Sequence, residues 1–214
     1  LKTQSEKSAK VMRELNSVWH NYRSKAWRSQ FVSKIRDQKL SVEDYQHWME
    51  NWVPQVREGS KWMRTALSNL TDPYTDLKAI IEEHADEEQN DWKMLFKDYQ
   101  NSGGKIESAE LLKRNVGGEA LNSFMYHRAS HTNAIDLLGG IFVIEGTGQK
   151  IIPMLLPMIR KSTGLDPDCF KFLHYHGIND ENHLLRWLGA IELVCDRATD
   201  EELEKIVETA KLTS

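Results

Sequence analysis

Apolar residues recur along this chain at three- and four-residue intervals, with no useful stretch of the alternation that marks a half-buried strand. Val11, Leu15, Val18 and Trp19 predict a first helix over about 5–29, with a short extension to about Asp37. Ser41 is a good N-cap, with Asp44 at the capping-box position usually held by Glu. The helix it opens reaches about Leu70, carries Tyr45, Trp48 and Trp52 on one face, and holds Pro54 as a candidate kink. After the Asp72-Pro73 turn, one helix is predicted from about Thr75 to Tyr99, ending at Gly103-Gly104. Ser108 starts a short helix that stops at Gly117-Gly118, and the segment from Glu119 to His131 is helical. Another helix spans about 133–163 despite Pro153 and Pro157. Asp166-Pro167 opens the next, and Thr199 with Glu202 forms a capping box for the last. The pattern predicts an all-α protein, a single-domain bundle of seven to eight helices over residues 1–214, without repeat or linker.

Three helices break their own apolar stripe. In FKFLHYHGINDENHLLRWLGAIELV, His176, Asp180 and His183 stand at i, i+4 and i+7, in line with Leu173 before them and Trp187, Ala190 and Val194 after. A charge left unpaired in such a seam is very costly, so a partner or a metal must neutralise it. The helix near 75–99 repeats the anomaly, its inward stripe reading Ile81, His84, Glu88, Asp91, Leu95. Glu82, Glu83, Asp86 and Glu87 then fall on the flanks as solvent residues. In the helix near 133–163 the stripe is Leu138, Ile141, Glu145, Ile152, and Glu145 is the only charge between Asp136 and Lys150.

Imidazoles and carboxylates without thiolate suit iron or manganese rather than structural zinc. His84, Asp91, Glu145, His176, Asp180 and His183, with Glu88 as a seventh, are too many donors for one ion that keeps an open position. Two ions bridged by a carboxylate fit better, with Glu145 the natural bridge. The ferritin-like version is excluded, because it needs Glu-x-x-His twice and the chain contains none. Each residue also has a plain structural reading: a satisfied core histidine, a buried ion pair for Glu145, a supporting role for His84, Glu88 and Asp91. His20, His47, His127, His131 and His174 read as surface or structural residues, and Tyr45, Trp48, Trp52 and Trp62 read as core.

Composition narrows the alternatives. The 214 residues, 40% hydrophobic and 28% charged, suit one domain with a real core. A formal net charge of −4 gives no basic footprint for nucleic acid, and no apolar run is long enough for a membrane span. The opening LKTQSEKSAK is polar and shows no secretory signal; it lacks a methionine, as expected of a trimmed chain. Two cysteines, Cys169 and Cys195, form no disulfide framework and suggest a reducing, cytoplasmic setting.

Over residues 75–195 the chain resembles the heme-oxygenase-like diiron oxidases, a branch of the TenA/PqqC-type helical superfamily. HGINDENH has that family's His-x3-Asp-x2-His pattern, and IFVIEGTG resembles the segment bearing its bridging Glu, here Glu145. The first metal helix departs from the pattern: His84 stands where Glu is usual and Asp91 where His is usual, with Glu88 where some members have their Glu. The resemblance implies two Fe(II) ions, O2 as co-substrate, a peroxo species and oxidation of a small molecule, with Glu145 and Glu88 in catalytic positions. A nitrile-forming member acts on a tryptophan derivative, which points to an amino-acid-derived substrate in natural-product biosynthesis. Lys150, Arg128 and Arg160 are then candidates to hold its carboxylate. The para-aminobenzoate-forming members are less similar, since Met154 and Leu155 stand where their lysine is sought. The superfamily also suggests a homodimer. Competing functions are a cofactor-independent TenA-type enzyme with a cysteine nucleophile, a helical protein binding a protein or tetrapyrrole, and a two-metal hydrolase that works without O2.

Overall fold

Both predicted capping boxes form. Ser41 Oγ accepts the Asp44 N–H and the Asp44 carboxylate accepts the Ser41 N–H; Thr199 and Glu202 repeat the exchange. The computed structural model describes residues 6–214, except the side chains of 179–181, so the expectation for Asp180 lies outside the described residues. Among these, ten α-helices appear and no strand: α1 (Glu6–Trp27), α2 (Gln30–Arg36), α3 (Val42–Ser68), α4 (Leu77–Glu88), α5 (Asp91–Asn101), α6 (Val116–Ala129), α7 (Leu137–Lys150), α8 (Ile152–Thr163), α9 (Lys171–Cys195) and α10 (Asp200–Thr213). No helix among the described residues is long and apolar enough to cross a membrane.

The count exceeds the predicted seven to eight because two long helices are broken. The predicted 75–99 helix divides at Gln89 and Asn90, where Asn90 adopts φ −115°, ψ −1°. Asparagine competes with the helix by bonding locally, so it tolerates such a break. The predicted 133–163 helix divides at Ile151, because Pro153 has no N–H to donate and its ring clashes with the carbonyl four residues back. Pro54 by contrast stays inside an unbroken α3.

Three more boundaries moved. Asn115 Oδ1 accepts the Gly118 N–H at 2.8 Å, so Gly117 and Gly118 lie in the first turn of α6 instead of ending a helix. The segment after Ser108 is only a 3-10 turn, Ala109–Leu111. Asp166-Pro167 likewise opens a 3-10 turn, and α9 starts after it at Lys171.

The core has two parts. One gathers Leu15 of α1, Leu138 and Ile141 of α7, Trp187 and Ile191 of α9 and Ile206 of α10. The other gathers Ile35 of α2, Tyr45 and Met49 of α3, Leu95 of α5, Leu155 of α8 and Phe170. Each such side chain stabilises by about 1.5–3 kcal/mol through burial. Helix α7 is the centre: Leu137–Val143 are all buried, and a Cβ on Gly139 would lie 1.9 Å from the Ile206 carbonyl oxygen of α10. That close approach fixes α7, and with it Glu145 two turns further on.

Candidate metal centre and adjoining cavity

Four helices deliver the donors. Helix α4 supplies His84, Glu87 and Glu88, α5 supplies Asp91, α7 supplies Glu145, and α9 supplies His176 and His183. The break at Gln89–Asn90 ends α4 directly after Glu88 and makes Asp91 the first residue of α5. His84, Asp91, Glu145, His176 and His183 are all buried.

The donor atoms fall into two groups, each with its atoms within 4.8 Å of one another: His84, Glu87 and His183, and Glu88, Asp91 and His176. In the first, His183 Nε2 lies 3.2 Å from Glu87 Oε2. In the second, His176 Nε2 lies 3.1 Å from Asp91 Oδ2 and 3.8 Å from Glu88 Oε2. Glu145 joins the first group, with Oε1 3.1 Å from His84 Nε2 and Oε2 3.5 Å from His183 Nδ1. Glu88 reaches both groups, since its Oε1 also lies 3.4 Å from His183 Nδ1. Glu145, the bridge expected from the sequence, reaches His84 with one oxygen and His183 with the other.

Hydrogen bonds orient the rings. His176 Nδ1 donates to the Phe172 carbonyl at 2.9 Å, which turns Nε2 toward Asp91 and Glu88. His84 packs edge-on against Trp187, ring centroids 4.9 Å apart, and against His183 at 4.6 Å. Burial alone would raise the Glu145 carboxyl; its hydrogen bonds to His183 and His84 hold it down at about 2.

Sequence reasoning missed two residues here. Glu87, read as a solvent acid, is 38% exposed yet belongs to the first group. Arg186 of α9 holds it with contacts of 2.5 and 3.1 Å, and that pairing lowers the Glu87 carboxyl below its ordinary range. The signal was available: Glu87 follows His84 by three residues and Arg186 follows His183 by three, each one turn along the same face. None of His20, His47, His127, His131 and His174 joins either group.

Beside the donors lies a cavity of about 370 Å³, within the range of small-molecule sites. His84, Glu88, Glu145 and His176 line one part of it. Tyr45, Trp48, Trp52 and Trp62, expected as plain core, also form its wall, with Trp48 stacked between Tyr45 at 5.8 Å and Trp52 at 6.2 Å. No lysine or arginine lines it among the described residues. Of the three expected anchors, Arg128 is paired with Asp136 at 2.7 Å, Arg160 borders a separate surface pocket, and Lys150 is exposed. Neither cysteine lines the cavity, and both are buried; burial pushes the Cys195 thiol up to about 11.

Helix order and site together define a heme-oxygenase-like helical protein with clustered imidazole and carboxylate donors. A solved domain of unknown function with a heme oxygenase-like fold, from Shewanella denitrificans, matches at a TM-score of 0.84 and 20% identity, over 96% of this chain and 86% of that one. A TenA homolog from Pseudomonas syringae pv. tomato matches at 0.79 and 13% identity, over 97% and 88%. At these identities the likeness is one of fold. The sequence profile of a family described as "Iron-containing redox enzyme" matches residues 46–214, and the chain belongs to that family. No curated protein matches it.

Proposed function

We propose that this chain is an O2-dependent non-heme diiron oxidase that oxidises a small organic molecule held in the cavity. The observation that carries the reading is the pair of adjacent donor groups, with imidazole and carboxylate but no thiolate, opening on that cavity. Membership of an iron-containing redox family supports the choice of iron.

The donor set fits iron. His84, His183, Glu145 and Glu87 would hold one ion, and His176, Asp91 and Glu88 the other, with Asp180 added by the family resemblance. Bound iron would supply the electrons that activate O2. The protein's own residues do the rest. The Phe172 carbonyl keeps the His176 proton on Nδ1 and leaves Nε2 as the donor. Aromatic walls exclude water and orient the substrate. Glu88 and Glu145 both face the cavity, where a carboxylate can take up a proton released when a substrate C–H or N–H bond is oxidised.

The TenA-type alternative needs a cysteine nucleophile, and here neither cysteine lines the cavity and burial raises both thiols. Glu145→Ala and His176→Ala are each expected to lose bound iron and O2 consumption after anaerobic Fe(II) reconstitution, with helical content unchanged. Full iron content and undiminished O2 consumption in both variants would sink the assignment.

A further inference from the structure

The aromatic stripe of α3 is interrupted twice where it faces the cavity. Tyr45, Trp48, Trp52, Gln55, Gly59 and Trp62 follow one another at steps of three and four residues, and all six line the cavity. Gln55 is 8% exposed and lines the cavity, while its Oε1 is turned into the protein beside Gly118 of α6 and has no hydrogen-bond partner. Buried amides are almost always bonded, so an unsatisfied carboxamide on a residue that lines the cavity marks a place for a ligand group toward which it can turn. An amide can turn either its oxygen or its nitrogen to that group, and so serves a donor or an acceptor. At Gly59 a Cβ would meet nothing within 4 Å, so the middle of a 27-residue helix leaves open space beside Gln55.

Charge sets the remaining condition. The carboxylates and imidazoles on the wall are those of the donor groups, and no lysine or arginine faces the cavity among the described residues. Away from the donor groups and any iron they hold, a substrate carboxylate or sulfonate would enter this apolar space with no counter-charge from the wall, at a heavy desolvation cost. An ammonium would find only carboxylates already committed to the donor groups. The aromatic rings of Trp48 and Trp52 instead favour a flat apolar body stacked or edge-on against them.

We infer that the cavity takes a neutral, flat aromatic molecule with a single hydrogen-bonding group, which pairs with the Gln55 carboxamide while its ring occupies the space left by Gly59. Its role as substrate rests on the oxidase reading above; its chemical class does not. An amino-acid zwitterion is the wrong class for this wall.

Two fluorescent probes with the same ring frame test the inference on the full chain, iron-free and iron-reconstituted under anaerobic conditions. N-phenyl-1-naphthylamine is neutral with one N–H; 1-anilinonaphthalene-8-sulfonate adds a negative charge. The neutral probe is expected to saturate one site per chain and to bind at least about tenfold more tightly than the sulfonate. Gln55→Leu is expected to weaken the neutral probe by about fivefold, through loss of one hydrogen bond. Gly59→Phe fills the space and is expected to abolish saturable binding. Circular dichroism and iron content of both variants should match the parent. Equal or tighter binding of the sulfonate, or unchanged neutral-probe affinity in either folded variant, would overturn the inference. Iron content on the same samples separates the two claims. Probe discrimination without iron supports the ligand class and removes the oxidase reading; iron without discrimination removes the ligand class alone.

Discussion

Arg186 is the residue whose placement has the sharpest consequence. Its guanidinium lies 3.4 Å from His84 Nδ1 and holds both oxygens of Glu87, so it engages two donors of one group. Arginine can only donate, so this contact keeps the His84 proton off Nδ1 and on Nε2, the nitrogen facing Glu145. Metal binding through Nε2 requires that proton to leave, against a positive charge beside the ring. Arg186→Gln is therefore expected to tighten Fe(II) binding in the His84/His183 group by about tenfold, or about 1.4 kcal/mol, read by competition with a chromogenic chelator. Equal or weaker affinity would show that Arg186 supports the site instead of opposing it. His84, Asp91, Glu145, His176 and His183 were legible in the sequence because each interrupts an apolar stripe. Glu87 and Arg186 were not, because a charged residue on a helix flank looks the same whether it faces solvent or a partner. Gln55 and Gly59 hid for another reason: a small or polar break in an aromatic stripe acquires meaning only once a cavity is known to lie against it.

At the scale of elements, the start of α9 depends on a side chain from another helix. Asp98 of α5 is fully buried, and its Oδ2 accepts the Phe172 N–H at 2.8 Å, capping α9 four residues before His176. Burial raises the Asp98 carboxyl from 3.8 to about 6, even against the lowering effect of bonds from Phe172 and Lys171. A carboxyl raised in the folded state binds its proton more tightly there than in the unfolded chain. Its contribution is thus complete below about pH 4 and is lost as pH rises through about 6, by on the order of 3 kcal/mol. Asp98→Asn keeps an acceptor and cannot ionise. Relative to the parent, iron-free Asp98→Asn is expected to gain stability between pH 4.5 and 7.5 in urea unfolding; the same difference at both pH values would contradict this. Element types were readable from the 3.6-residue period and the caps at Ser41 and Thr199. Element ends were less so. Pro153 broke a continuous pattern, Gly117 and Gly118 were absorbed into a helix by the Asn115 cap, and α9 takes a cap from a residue distant in sequence, which no local signal reports.

The whole molecule joins a two-part core to one cavity whose wall carries the donors. The bundle and the approach of its donor-bearing helices follow from stripes that each helix displays alone, while its heme-oxygenase-like form was legible as a resemblance carried by HGINDENH and IFVIEGTG. The cavity does not, because its wall is assembled from single residues on several helices, and neither its volume nor its lack of cations among the described residues can be summed from any one of them. The account stands on the claim that the two donor groups form one paired iron centre. Elemental analysis of the full chain after anaerobic Fe(II) reconstitution and desalting, followed by stopped-flow absorbance on mixing with O2, tests it directly. The account predicts about two irons per chain and an O2-dependent absorbance change. No stoichiometric iron and no spectral change on adding O2 would contradict it.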